Sequence, residues 1–164
     1  MGVRFRLPPG RPLRYTLRMW FVYALSAAVI WGISYAASGR AIERGVSPLV
    51  FFSLYTAAGA LMGFGALAAL GKLATFPDEI RAVGKDWTWL VIAVVTSGVG
   101  ALLIYMAIGE KNATLASLIE ISYPLFVAFF AWVFFRETQF NAATVLGAAL
   151  ILSGVGVVYL GNRG

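Results

Sequence analysis

The sequence lacks cysteine and histidine and has few charged residues. Its 164 residues include no Cys and no His, and 12% are Asp, Glu, Lys or Arg. Without cysteine there can be no disulfides, thiolate nucleophiles or sulfur-ligated metals. Without histidine, the commonest metal ligand and the usual proton carrier near neutral pH are missing. No constellation of nucleophile and base is present either. We therefore predict that the protein is not an enzyme and that it holds no metal or cofactor.

Apolar residues dominate the chain instead. They make up 60% of the sequence. The charged residues make up 12%, whereas a soluble domain carries roughly a quarter. A chain with so little polar surface needs the lipid bilayer as part of its solvent. The composition therefore predicts an all-α integral membrane protein.

Five uncharged or nearly uncharged windows are long enough to cross a hydrocarbon core, which takes about 20 residues. The first is too long for the apolar region of a signal peptide and lacks a convincing cleavage site, so we interpret it as a retained span. Connections at 40–44, 110–111 and 136–137 are short enough to force antiparallel hairpins, and 72–86 is the one longer loop. We predict a basic tail at 1–18 and a five-transmembrane-helix bundle at 19–162, with helices at 19–39, 45–71, 87–109, 112–135 and 138–162.

The basic residues predict an orientation rather than a nucleic-acid partner. The net charge is +6, and five arginines (Arg4, Arg6, Arg11, Arg14 and Arg18) cluster directly before the first window. Arginines beside a span set its orientation and contact anionic lipid headgroups. With the N-terminus inside, the cytoplasmic side holds nine Lys and Arg residues and the other side holds four. We therefore predict a multi-pass protein of the plasma (cytoplasmic or inner) membrane with its N-terminus in and its C-terminus out.

Glycines recur at helical spacing within the windows. Small residues let helix backbones approach closely in a membrane, where lipid competes with apolar side-chain packing. This pattern predicts helix packing at Gly32 in the first window, Gly59 and Gly63 in the second, and Gly147, Gly154 and Gly161 in the fifth.

Glu120 is the one charged residue inside a window. Eight residues of helix place it about 12 Å below the preceding turn. An ionisable group at that depth costs on the order of 3 kcal/mol and is usually retained for function. Pro124 follows at i+4 and has no N–H for the carbonyl of Glu120, which predicts a kink there. We predict substrate or proton coupling at Glu120 and Pro124. The alternative is a neutral Glu120 that hydrogen-bonds a neighbouring helix and holds the bundle together.

Aromatic and hydroxyl residues near the middle of the windows form a candidate pocket beside Glu120. Aromatic faces suit amphipathic or cationic organic ligands. Each of these residues also has a plain packing interpretation, because the rotation of each helix is open. The candidate lining is Trp31, Tyr35, Tyr55, Ser97, Tyr105, Ser117 and Tyr123.

Two stretches of the chain, 29–61 and 113–160, resemble the EamA repeat of the drug/metabolite transporter superfamily. The first carries a Trp-Gly pair and then a Ser-Pro pair at the second window. The second carries the proline-bearing helix, a turn before Glu137 and the run LGAALI. Arg136 stands where the family turn usually has glycine. The resemblance covers residues 17 to 161 and implies a polytopic carrier that moves small metabolites, amino acids or drugs by alternating access.

The resemblance covers one repeat, whereas typical members carry two in tandem. A half-size carrier of this kind is expected to pair with a second copy in the opposite orientation or with another EamA-type half. Our leading hypothesis is a dimeric secondary transporter that exchanges protons for a small-molecule substrate. The alternative is a non-transporting scaffold or assembly subunit with Glu120 as interhelical glue. A channel is disfavoured, because its rings of polar residues are not found.

Overall fold

The computed structural model describes residues 13–137 and 141–162, with side chains from residue 19 onward. Within these ranges the chain is helical, with no strand, which confirms the predicted all-α class. The helices are α1 (Leu13–Glu43), α2 (Pro48–Ala69), α3 (Phe76–Ala82), α4 (Trp87–Glu110), α5 (Ala113–Glu120), α6 (Tyr123–Phe135) and α7 (Ala142–Gly161), with a 3-10 turn at Gly84–Asp86 before α4.

Five stretches of the described chain are long and apolar enough to cross a membrane, as predicted. They are Met19–Glu43, Pro48–Ala69, Gly84–Glu110, Ala113–Phe135 and Ala142–Gly161. Helix α1 begins at Leu13, within the predicted basic tail. Residues 1–12 lie outside the described residues, so the division into tail and bundle stays a prediction.

The first connection is shifted along the chain from its predicted place at 40–44. Helix α1 continues to Glu43 and α2 begins at Pro48. The backbone turns at Gly45, whose φ of +100° favours glycine. The side chain of Ser47 then accepts a hydrogen bond from the Val50 N–H at 3.3 Å, and a proline fits the first helical turn because it needs no N–H partner there. These capping features set helix ends that hydropathy alone does not detect.

The segment 72–86 was predicted to be a loop, and this prediction is wrong for most of its length. The segment contains α3 and the 3-10 turn. Asp78 and Glu79 lie in the first turn of α3, where negative charge interacts favourably with the helix dipole. Arg81 also pairs with Asp78 at 3.1 Å on the exposed surface. Local electrostatics of this kind stabilise a helix too short and too polar to be found as an apolar window.

The fourth predicted helix, at 112–135, is two half-helices within one span. Helix α5 ends at Glu120, and α6 begins at Tyr123 after a two-residue turn. Pro124 cannot donate to the carbonyl of Glu120. The hydroxyl of Ser122 donates to the carbonyl of Ile119 at 2.9 Å, so a side chain satisfies part of the interrupted backbone, as is usual for broken helices in membranes.

The fifth predicted helix, at 138–162, starts later than expected. Residues 138–140 lie outside the described residues, and α7 begins at Ala142. Asn141 sets this start, since its side chain accepts a hydrogen bond from the Thr144 N–H at 2.8 Å. On the other side of the turn, Arg136 has a left-handed φ of 57°. This is the position where the family usually has glycine, the residue that adopts such a backbone without strain.

Among the described residues, a buried core and two close helix contacts lie at one end of the bundle, where α1 and α4 end and α2 and α5 begin. Tyr105, Ile108 and Ala116 form its buried apolar core. A Cβ added at Gly39 would lie 3.0 Å from the Cβ of Ala113. At Gly109 it would lie 3.1 Å from the Cγ of Pro48. These two glycines, which the sequence analysis did not select, bring the helices close together.

The glycines selected from the sequence are not at close approaches within the described part of this chain. A Cβ added at any of them would have no non-local atom within 4 Å: Gly32, Gly59, Gly63, Gly147, Gly154 and Gly161. Their helical spacing identifies a face of small residues, but it does not identify what that face meets. Helix packing at these glycines stays a prediction.

Candidate functional site

A cavity of about 990 Å³ lies between α1, α2, α4 and α5 and is bordered by the start of α6. Glu120 lines it. So do all the residues proposed from the sequence as pocket lining: Trp31, Tyr35, Tyr55, Ser97, Tyr105, Ser117 and Tyr123. Pro124 is not among the lining residues; it lies in the first turn of α6, directly after the break that follows α5, and its role in coupling remains a prediction. The structure thus brings the proposed side chains together, and their binding role remains a prediction.

Glu120 is half-buried and is the last residue of α5. Its Oε2 accepts a hydrogen bond from the Tyr35 hydroxyl of α1, with 2.7 Å between the oxygens. A carboxylate has two oxygens with about four acceptor sites, so this bond leaves capacity for a further donor. Glu120 therefore faces protein and cavity, the environment in which polar groups are tolerated at membrane depth.

Aromatic rings from three spans form a connected wall around the cavity. The ring centroid of Trp31 is 5.4 Å from that of Tyr35 and 6.2 Å from that of Tyr55. The centroid of Tyr55 lies 5.7 Å from that of Tyr105. Trp31 remains 41% exposed, so much of its ring is not covered by this chain. The wall joins α1, α2 and α4, and one of its rings, Tyr35, also donates the hydrogen bond to Glu120.

The hydroxyl of Tyr105 is a buried polar group without a partner. Tyr105 is 0% exposed, and its Oη finds no hydrogen-bond partner among the described residues. Its ring is held by an edge contact with Phe51 at a centroid distance of 4.8 Å. An unpaired buried hydroxyl costs about 1–3 kcal/mol. The site therefore keeps an unused donor and acceptor beside the cavity.

The remaining proposed residues differ in how far their polar groups are engaged. The Ser117 hydroxyl donates to the carbonyl of Thr114 at 3.0 Å. Tyr123 is 61% exposed and begins α6, and Ser97 is exposed on α4. Ser117 retains acceptor capacity because a hydroxyl has two lone pairs.

Sequence reasoning missed the small and apolar part of the lining. The missed residues surround the predicted ones at helical spacing, so the faces of α1 and α4 could have been extended from Trp31 and Tyr105 by steps of three and four. The rotation that turns these faces toward one another comes from tertiary packing. The missed lining residues are Ala28, Ala36, Gly100, Ala101, Ile104, Ala113, Thr114, Leu118 and Ile121, together with Gly32, which had been assigned to helix packing.

The charged side chains that line the cavity are of one sign, negative. Glu120 is the one carboxylate among its described lining residues, and none of them is Lys or Arg. No group of three or more metal-ligating side chains occurs in the described ranges. A lone carboxylate among tyrosines can accept a proton, bind a cation or hold a hydrogen bond.

Five described stretches are able to span a membrane, and four of them line a cavity of ligand size. Together they define a multi-pass membrane protein with a candidate site between its helices. The model of the EamA-like transporter family matches residues 18–160. The chain therefore belongs to this family, and its class is that of membrane transporters of the drug/metabolite type. Comparison with curated proteins and with solved structures gave no significant match. The match confirms the resemblance seen in the sequence.

Proposed function

We propose that this chain is a half-size secondary carrier that moves a small metabolite, amino acid or drug-like compound by alternating access, in exchange for protons. One observation carries the proposal. Glu120, the one acidic residue among the described lining residues, ends a broken helix and borders a cavity of about 990 Å³. Carriers often bind substrate near the bilayer midplane, at the ends of discontinuous helices.

The break at Glu120 gives the site two acceptors on one residue. Its backbone carbonyl has lost its usual partner because Pro124 has no N–H. Its carboxyl group is engaged by one donor, the Tyr35 hydroxyl. The carboxyl end of a helix also carries partial negative charge. All three features favour a proton or a cationic group at this point, so protons and substrate would alternate there.

The proposal includes a dimer, because typical relatives use two repeats and the matched residues 18–160 correspond to one. The glycines of α2 and α7 have open space around them and are available to a second copy or to another EamA-type half. Since the chain has no cysteine, any disulfide cross-link in a single-cysteine variant must form at the introduced residue. Gly59→Cys and Gly154→Cys are expected to form cross-linked dimers in membranes, whereas Glu79→Cys on α3 is not. Monomers throughout would contradict the dimer.

Reporter fusions at each terminus test the proposed orientation. We expect the N-terminus in the cytoplasm and the C-terminus outside, in the plasma membrane. A uniform C-out result implies a separate partner for the inverted half, while a mixed result favours two copies paired head to tail. A uniform C-in result would contradict the count of basic residues on which the orientation rests.

Transport is tested with purified protein in vesicles that contain a pH-sensitive dye. A panel of organic cations, amino acids, neutral compounds and organic anions is added under a pH gradient. We expect at least one compound to cause saturable proton flux in the wild type and none to do so in Glu120→Gln. Glu43→Gln is the matched control, because Glu43 lies outside the cavity in an exposed pair with Arg40. Equal flux in wild type and Glu120→Gln would refute the coupling role.

The Tyr35–Glu120 hydrogen bond also favours a second candidate function, a non-transporting scaffold in which Glu120 is interhelical glue. The bond joins α1 to α5 at 2.7 Å, as glue would. Glu120→Gln separates the two functions because its amide oxygen can still accept from Tyr35. A scaffold predicts an unchanged fold and no compound-dependent flux in any variant. The carrier predicts an unchanged fold together with a specific loss of flux.

A further inference from the structure

The charges around the cavity distinguish between classes of ligand. Among its described lining residues there is one carboxylate and no Lys or Arg. The basic residues with described side chains lie at helix ends and connections, for example Arg40 near the end of α1 and Arg136 after α6. An anionic ligand would meet a like charge and no positive partner, which disfavours it. A cationic ligand would supply the missing counter-charge.

The aromatic wall favours the same class. A cation over the face of a Trp or Tyr ring within about 6 Å is attracted by the ring quadrupole. Trp31, Tyr35 and Tyr55 line the cavity as connected rings, and Trp31 is 41% exposed. The rings also provide apolar surface for a hydrocarbon body. One carboxylate beside several aromatic faces therefore matches one positive charge on an apolar molecule.

Tyr105 contributes a polar hydroxyl next to the cavity. Its hydroxyl is fully buried, lacks a partner among the described residues and belongs to a residue that lines the cavity. The cavity volume of about 990 Å³ also suits a drug-sized ligand.

We propose that the cavity binds a small organic monocation with an apolar, preferably aromatic, body. The Glu120 carboxylate neutralises its charge, and the rings of Trp31, Tyr35 and Tyr55 cover its apolar surface. This inference rests on the carrier function proposed above, because it names the substrate class of that same cavity.

The test uses three probes of similar size: benzyltrimethylammonium, its uncharged carbon isostere neopentylbenzene, and the anion phenylacetate. Radiolabelled benzyltrimethylammonium is bound to the full-length protein in nanodiscs, and protein-free nanodiscs give the partition background. We expect saturable binding that unlabelled benzyltrimethylammonium displaces and that the neutral and anionic probes do not. Displacement by the neutral isostere at equal concentration, or no saturable binding, would overturn the proposal.

Variants assign the binding to the cavity. Glu120→Gln is expected to weaken it at least about tenfold, because a charge partner is removed, while Glu120→Asp retains part of the affinity. Trp31→Leu should weaken it about three- to tenfold, and Trp31→Phe less, because Phe keeps an aromatic face. Unfolding curves of each variant verify that the fold is intact. Unchanged affinity in a folded Glu120→Gln would overturn the proposal.

The binding test and the transport test can give opposite results, so failure of the cation site is distinguishable from failure of the carrier function. Saturable, Glu120-dependent binding without flux for any compound would support the cation site and refute the carrier. Saturable flux with neutral or anionic compounds, without binding of the cation, would support the carrier and refute the cation site.

Discussion

The hydrogen bond between Tyr35 and Glu120 predicts a measurable energetic coupling between α1 and α5. Its oxygens are 2.7 Å apart, the short distance typical of an O–H donor. A hydrogen bond to a charged group contributes about 1.5–3 kcal/mol, whereas interhelical bonds measured in membranes average about 0.6 kcal/mol and reach about 1.7 kcal/mol. Because Glu120 is half-buried beside an open cavity, we expect about 1 kcal/mol, above the membrane average and below the range for a charged group.

A double-mutant cycle measures this coupling. The variants are Tyr35→Phe, Glu120→Met and the double variant, and the measured quantity is the free energy of unfolding in mixed detergent micelles. Methionine fills a similar volume and removes the acceptor. Tyr35→Phe should destabilise the protein by about 1 kcal/mol more when Glu120 is present than when it is absent. Tyr23→Phe is the matched control, because it lies on α1 outside the cavity and is 66% exposed.

The outcome that would refute the reasoning is a cost of Tyr35→Phe that is the same in both backgrounds. In that case the bond contributes nothing to the fold, and the glue function of Glu120 loses its structural basis. A coupling well above the membrane range would instead mean that the site is less accessible to water than the cavity indicates.

The other predictions concern packing and backbone conformation and are checked by unfolding measurements. Tyr105→Phe should stabilise the ligand-free protein by about 1 kcal/mol, because it removes an unpaired buried hydroxyl. Gly39→Val should destabilise it by about 1–3 kcal/mol, because a Cβ at this position already lies 3.0 Å from its neighbour. Gly98→Val, with open space around it, should cost less. Arg136→Gly should stabilise the fold by about 1 kcal/mol, because relief of the left-handed φ outweighs the loss of the cation–π contact with Trp132 at 5.8 Å.

Each of these predictions has an outcome against it. Loss of stability in Tyr105→Phe would show that the hydroxyl is already hydrogen-bonded, for example to water. Equal costs of valine at Gly39 and Gly98 would contradict the close packing at the end of α1. Arg136→Ala keeps the left-handed backbone and loses the cation–π contact, so it should be less stable than Arg136→Gly, and the reverse order would contradict the strain.

The spans were predictable from the sequence because membrane insertion depends on quantities that a sequence displays directly. An apolar stretch of sufficient length crosses the bilayer, and a proline four residues after Glu120 interrupts a helix wherever it occurs. Helix ends were less predictable. The starts of α2, α5 and α7 are set by Ser47, Asn112 and Asn141, whose side chains accept hydrogen bonds from backbone N–H groups of the first turn. An apolar window does not register such bonds.

The residues that line the site were predictable from the sequence, but their arrangement in space was not. Mid-span position and residue type were enough to select Trp31, Tyr35 and Tyr105, because large polar aromatics are conspicuous within apolar helices. The Tyr35–Glu120 bond depends on how α1 and α5 are rotated, and that rotation is set by contacts such as Gly39 against Ala113. Glycine spacing suggested different contacts, because a face of small residues is equally visible whether it meets a helix or open space.

The tight contacts at Gly39 and Gly109 have a mechanical consequence. Both lie at the same end of the bundle, where α1 and α4 end. Helix α1 extends about 30 Å from Gly39 back to Met19, so a tilt of about 10° pivoting at Gly39 moves its far end by about 5 Å. The tight end is then a fulcrum and α1 is a lever. If a methyl group added at Gly39 tilted α1 by this angle, the far end of α1, on the opposite face of the membrane, would move by more than the diameter of the methyl group.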